Sequence, residues 1–548
     1  MNDPFVPDPL TRRGLLRIAA AGAVAAGAVP GLARGSRNLA PALDAVSVES
    51  TAPFAGDRRL LATVDPASAE RDRAVLRFLL DRPAQVRVEA IQVGQSGERS
   101  VWEAQAALAK GRHRFLWKPA PDVKPGTYLM RLTVQDSGRS RVYGQRRPVT
   151  PERALAPVIR VLGVEAACDE RSYAPGQSAR LTVAADAETL TLEILRSGPE
   201  LENTDRSDEL KGVAVTDPVT HSWRSNRHRS GTIQLEIGDW PTGLYFVRLT
   251  TEDRRVGYAP FVVRPKTLGT SKIAVVLPTN TWQAYNFRDA DGDGWGDTWY
   301  AGGSPPVVLD RPYLNRGVPP RFRRYDLPFI KWLHWTGKTP DYLCDEDVAR
   351  LRDGDELRRA YDLVIFPGHT EYVTEHGYDV VQRYRDLGGN LMFLSANNFF
   401  WKVERRGTSL RRIARWRQLG RPESGLLGNQ YLANDDGTKQ GVFYVTDADA
   451  SPWLWAGTGL TTGSTLGEYV GGYGIEIDAT TEHSPPGTKV LAVIPNLFGL
   501  GKHAEMTYYE SPAGARVFAA GAMDFGGSAT FWPVRRMLEN LWQHLIQP

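Results

Sequence analysis

The stretch from Tyr361 to Trp401, YDLVIFPGHTEYVTEHGYDVVQRYRDLGGNLMFLSANNFFW, restricts the fold more than any other part of the chain. LVIF and LMFL are short continuous apolar runs, the pattern of strands buried on both faces. Between them Tyr378, Val381, Tyr384 and Leu387 recur at i, i+3, i+6 and i+9, one helical face turned toward a sheet. Gly388-Gly389 closes that helix, because a left-handed C-cap needs Gly. The whole reads as a parallel strand–helix–strand unit. His369, Glu371 and Asn397 fall on the loops after its two strands. In an open parallel sheet such loops meet at one rim, and ligands bind there.

With 548 residues the chain exceeds one hydrophobic core, and about three domains are expected. Period-two segments separated by Pro, Gly and Asp-Ser turns occupy residues 45–150, predicting a β-sandwich. The pattern recurs over 157–265 as a second, immunoglobulin-like sandwich. PGTYLMRLTV (Pro125–Val134) is mirrored by PTGLYFVRLTT (Pro241–Thr251), an internal repeat at domain scale. From 271 to 548 an α/β three-layer domain with a mainly parallel sheet is expected. The polar stretch Ser197–Thr232 is long for a loop and reads as a functional insertion.

Lys+Arg 67 against Asp+Glu 63 leaves a net charge of +4, and no basic stripe with interleaved aromatics stands out, so nucleic acid is not an expected partner. Cys168 and Cys344 are the only cysteines, which excludes a disulfide scaffold and argues against a cysteine zinc site. Thr11-Arg12-Arg13-Gly14-Leu15-Leu16-Arg17, followed by a weakly apolar Ala/Gly/Val run, has the twin-arginine pattern over residues 1–36. It predicts export to the periplasm or the extracellular space, without a stable membrane span. Asp289, Asp291, Asp293 and Asp297 occupy positions 1, 3, 5 and 9 of a calcium-loop pattern with Gly294 at position 6. Position 12 is Tyr300 rather than Glu. This is a candidate structural Ca2+ loop, with an exposed Gly/Asp turn as the alternative.

Four phrases carry a resemblance: NTWQAYN (Asn280–Asn286), YDLVIFPGHTEYV, LGGNLMFLSANNFFW and EMTYYESPAGARVFAAGAMDF. Together they resemble the catalytic large (beta) subunit of N,N-dimethylformamidase, over most of residues 271–548 and the WPTGLYFVRL segment before it. The architecture also resembles class I glutamine amidotransferases, but Ser395-Ala396-Asn397-Asn398 stands where those carry a nucleophilic Cys. The resemblance implies an amidohydrolase acting on a small amide C–N bond, with mononuclear Fe(III) held by two tyrosine oxygens and one glutamate. Carried over, the glutamate is Glu371 and the tyrosines are Tyr285 and Tyr245. Tyr325 competes with Tyr285, and Tyr245 stands equally as a core residue of the second sandwich. His369 is implied as a proton shuttle and Asn397 as a hydrogen-bond donor to substrate or oxyanion.

An oxygen-only donor set suits a hard trivalent ion. Free tyrosine titrates near pH 10, so binding such an ion releases protons. The family also implies a small partner subunit, and a homo-oligomer is an alternative. Two rival readings remain. One is a non-catalytic secreted binding or scaffold protein with a degenerate domain. The other is a glycosidase, which needs a second acid beside Glu371; none is evident in the sequence.

Overall fold

A computed structural model describes residues 40–94, 97–144, 156–202, 209–300 and 305–547. The expected twin-arginine segment lies outside the described residues. The fold is rich in β-sheet with few helices. Among the described residues no helix is long and apolar enough to cross a membrane.

Two sandwich-like pairs of sheets come first. Leu43–Ser50, Ala74–Leu80 and Gly111–Trp117 form one sheet, facing a second built around Ala84–Gly94 and Gly126–Asp136. Alternate residues of both sheets, among them Leu76, Phe78, Val86, Val88, Leu132 and Val134, fill the core between them. The second pair repeats the plan, with Ser178–Ala184 and Gly231–Glu236 facing Thr189–Arg196, Gly243–Thr251 and Val256–Val263. One strand departs from the expected division at 157. Val158–Val161 pairs with Leu61–Val64 and with Gly126–Leu129, so it closes the first sandwich rather than opening the second.

The largest sheet runs in the order Asp341–Cys344, Ile273–Leu277, Leu363–Phe366, Asn390–Phe393, Arg516–Ala519, Ala504–Glu510, Lys489–Ile494, Phe443–Val445, Thr465–Leu466. The first five strands are parallel and the pairings after them antiparallel. The sheet is therefore mixed, not mainly parallel. Parallel neighbours need long crossovers, whereas Lys489–Ile494, Ala504–Glu510 and Arg516–Ala519 follow one another through short links that favour antiparallel pairing. Alternation splits the parallel strands between two cores. Val276, Val364, Phe366 and Leu391 meet Tyr378, Val381 and Tyr384 of the helix Glu375–Asp386. Val275, Leu277, Ile365 and Met392 share the other core with Trp332, Leu333, Met537 and Leu541.

The chain leaves Ile273–Leu277 for Asp341–Cys344 on one side, then returns to Leu363–Phe366 on the other. Such a reversal of strand order opens a crevice at the carboxyl ends of the two flanking strands. The first sandwich is docked beside it. Arg58 donates to the carbonyls of Asp291 and Gly292, while Arg288 of the same loop pairs at 2.7 Å with Glu165 of the second sandwich. Trp295 packs against Ile91, Leu129 and Val158. Gly294 sits at φ +89°, and a Cβ there would lie 2.9 Å from Leu129 Cδ1. Gly294→Ala should thus incur about 1–2 kcal/mol of left-handed strain in addition to the clash. A fall of several degrees in the calorimetric unfolding temperature is expected; an unchanged transition would show that this contact is not needed.

Candidate active site

Three strand ends deliver the groups. Ile273–Leu277 runs into the short helix Thr279–Ala284, and Tyr285 caps it, its N–H donating to the Thr281 carbonyl at 3.0 Å. Leu363–Phe366 runs into His369-Thr370-Glu371, and Asn390–Phe393 into Ser395–Asn398. The two loops are stitched by their backbones. Phe399 N–H donates to the Thr370 carbonyl at 2.7 Å, and Trp401 N–H to the Glu371 carbonyl at 2.9 Å. Thr281 Oγ1 accepts from Glu371 N–H at 3.1 Å, tying in the third loop. Asn397 is left-handed at φ +53°, a conformation Asn tolerates. Both Asp478 oxygens accept from its N–H, at 2.8 and 3.1 Å.

The side chains converge. The Tyr285 hydroxyl donates to Glu371 Oε2. His369 Nε2 lies 3.6 Å from Glu371 Oε2 and 3.3 Å from Glu476 Oε2. The Asn397 side chain lies beside both glutamates and the Tyr372 hydroxyl beside Glu371, and each opposes the rise that burial imposes on them. The Tyr285 ring stands 4.6 Å from that of Tyr300 and 5.6 Å from His369. Tyr285, Tyr300, Tyr325, His369 and Glu476 line one cavity of about 590 Å³.

Burial sets the charge states. His369 and Glu371 are only 4% and 3% exposed. Burial pushes Glu371 up to about 7, against the opposing pull of the Tyr285 hydrogen bond and the Arg412 charge. Glu476 lies well above the carboxylate range, through burial and then the Glu371 charge. Tyr285 rises well above the phenol range for the same two reasons. Burial lowers His369 to about 3, while a hydrogen bond to the Asn397 backbone opposes it and marks the other ring nitrogen as the donor. Nε2 therefore presents a lone pair. His369 Nε2 and Glu476 Oε2 are close but misaligned, so each is buried without a hydrogen-bond partner, as is Asn397 Oδ1. Orphaned buried atoms beside two carboxylates and several phenols fit a hard cation with a substrate next to it.

The expected second ligand Tyr245 is not brought here. Its ring lies between Trp240 and Phe261, at 5.6 and 5.8 Å, in the core of the second sandwich. Its hydroxyl donates to the Pro241 carbonyl at 2.7 Å. The repeat explains this, since Tyr128 makes the same bond to Lys124 four residues back, also at 2.7 Å. Both are corner tyrosines that tie a strand to its entering turn. Tyr325, the competing candidate, lies in the cavity.

The acidic loop also differs from expectation. Oxygens of Asp289, Asp291 and Asp297 lie within 4.8 Å of one another, but Asp293 is not among them. Asp289 accepts from the amides of Gly292, Asp293 and Gly294, and Asp293 from that of Trp295. These carboxylates hold the loop that docks the first sandwich, and the cluster alone assigns no ion. Sequence reasoning missed Glu476, the second acid beside Glu371. The strand Tyr473–Ala479, YGIEIDA, held a readable signal, two acids at i and i+2 within an apolar run.

A buried carboxylate–phenol pocket at the switch point of a mixed sheet defines the class, and comparison with known proteins defines the family. Residues 209–536 match the family described as N,N-dimethylformamidase beta subunit-like, C-terminal, and the chain belongs to it. The N,N-dimethylformamidase beta subunit of an Alcaligenes species is 25% identical over 416 residues, covering 56% of this chain and 53% of that protein. That of Paracoccus aminophilus is 24% identical over 311 residues, covering 45% and 40%. The chain thus spans about half the length of these curated relatives or less. Among solved structures, trypsin-activated alpha-2-macroglobulin from Escherichia coli overlaps 41% of this chain and 16% of that one, with 10% identity and a TM-score of 0.24, too low for a structural argument.

The charge states have a consequence for stability. Glu371 at about 7 and Asp478 at about 7 hold protons that the unfolded chain, with ordinary values of 4.5 and 3.8, has lost. Their contribution is fully present below the unfolded values and disappears as pH rises through the folded ones. Chelator-treated protein should therefore lose stability from about pH 4 to above pH 7, on the order of a few kcal/mol per group. Glu371→Gln should flatten that slope in pH-dependent denaturant unfolding; an undiminished slope would contradict the protonated site.

Proposed function

We propose that this protein hydrolyses an amide C–N bond at a site holding mononuclear Fe(III) through Glu371, Tyr285 and a further cavity phenol, Tyr300 or Tyr325. The observation that carries the reading is the contact of buried Glu371 with Tyr285, whose ring lines a cavity together with His369 and Glu476. A carboxylate pair alone would also serve glycoside hydrolysis; the family match favours an amide. Iron bound there would supply Lewis-acid polarisation and open positions for water and substrate.

The chain's own groups then have distinct tasks. His369 Nε2 takes a proton from the attacking water and returns it to the departing nitrogen, a poor leaving group until protonated. Neutral in its buried setting, the imidazole gains basicity when Glu371 or Glu476 beside it is ionised. Asn397, whose side chain stands beside both glutamates, orients them; this role precedes any donation to an oxyanion. Asp478 holds the left-handed turn that aims Asn397. The Arg12-Arg13 segment supports export by the twin-arginine route.

Protein expressed with ample iron should carry about one iron per chain and a visible phenolate-to-iron absorption. Glu371→Ala should lose the metal, the colour and turnover of amides together. Tyr285→Phe should shift or abolish the band, and Tyr300→Phe against Tyr325→Phe tells which phenol is the third ligand. Colourless, iron-free protein, or turnover surviving Glu371→Ala, would overturn the assignment.

A further inference from the structure

We propose that the substrate is an amide bearing a carboxylate on an apolar arm, and that the first sandwich supplies part of its recognition. This rests on the amide-hydrolysis reading and specifies its substrate. The cavity volume is the first argument. About 590 Å³ is several times what dimethylformamide fills, since that molecule displaces roughly four waters' worth of liquid at ~30 Å³ each. A cavity of this size matches a much larger ligand.

The lining is graded. His369 and Tyr325 are buried at the bottom, where the reacting amide belongs. Val123, Pro125, Phe287, Leu314 and Val318 supply the apolar part of the lining. The exposed residues of the lining include the cations Lys124, Arg316 and Arg321 and the carboxylate Asp122. Cations grouped at the mouth of a low-dielectric cavity attract and orient an anion, and guanidinium matches a carboxylate in shape. An acyl or amine portion ending in a carboxylate would lay its apolar stretch along the wall with its charge at this rim.

The wall is preformed. The Tyr128 hydroxyl donates to the Lys124 carbonyl, fixing the turn at 2.7 Å. Leu314 packs against Gly126, where a Cβ would come within 3.2 Å of it. Pro121 and Pro125 stiffen the segment between. Residues 121–125 precede the family-matched region 209–536, so this part of the recognition lies outside the portion matched to the family. Hydrolysis of such an amide balances with water alone. The water oxygen bonds to the carbonyl carbon, the C–N bond breaks, and the proton passes to the leaving nitrogen.

Titration calorimetry of the full iron-loaded chain with N-benzoylglycine, N-methylbenzamide and dimethylformamide tests this. At low ionic strength N-benzoylglycine should bind at least tenfold more tightly than N-methylbenzamide, and dimethylformamide most weakly. Lys124→Gln should reduce the preference severalfold without changing N-methylbenzamide affinity, and Arg321→Gln should reduce it independently. Equal affinities, or a preference undiminished in both variants, would overturn the proposal. Turnover on the same panel separates the two readings. Hydrolysis of all three amides with no carboxylate preference in binding sinks this proposal and leaves amide hydrolysis standing. A carboxylate preference without turnover supports the recognition and removes the hydrolysis reading.

Discussion

A glutamate buried against a phenol, with a second glutamate and a neutral imidazole beside it, cannot be kept ionised cheaply in a low-dielectric pocket. Glu371 lies under that constraint, and the surrounding structure answers it. Tyr285 donates to it, Tyr372 and Asn397 stand beside it and oppose the rise that burial imposes, and three loops are tied by hydrogen bonds so that these groups stay aimed. Even so, His369 Nε2, Glu476 Oε2 and Asn397 Oδ1 remain without partners. Buried groups left in this state are the mark of a site prepared for something beyond the chain itself.

The architecture concentrates these groups through one topological event. Strand order reverses around Ile273–Leu277, so the loop carrying Tyr285 and the loop carrying Glu371 open onto the same crevice although 86 residues separate them. The antiparallel half of the sheet extends the platform. The separate small sheet that includes Tyr473–Ala479 brings Glu476 and Asp478 to the same place. The first sandwich closes the cavity from outside, held by Arg58 and the close approach at Gly294. A feature that reads as an ion loop in the sequence thus becomes the seat of an interdomain contact.

How much was legible in advance follows the range of the interactions. Periodicity and turn residues are local, so the strands LVIF and LMFL, the helix between them and the strands of both sandwiches were readable and appear as expected. The resemblance in GHTEY and SANN pointed to Glu371, His369 and Asn397, which the structure brings together. Tyr245 was the misleading case. The shared YFVRL-type phrase marks a corner tyrosine in both sandwiches, a local packing motif with no information about a distant pocket. The boundary near 157 failed likewise, because partner choice for Val158–Val161 is a long-range matter.

The amino-acid sequence by itself determined which segments become strands and helices, that the chain holds several cores, and which family its second half belongs to, since each depends on short-range pattern or direct similarity. Tertiary structure alone decided that the sheet is mixed, that Glu476 rather than Tyr245 joins Glu371, and that the first sandwich walls the cavity. Those facts rest on contacts between residues far apart in the chain and on burial. Burial raises an ordinary acid such as Glu476 well above the carboxylate range, and no window of sequence contains that burial.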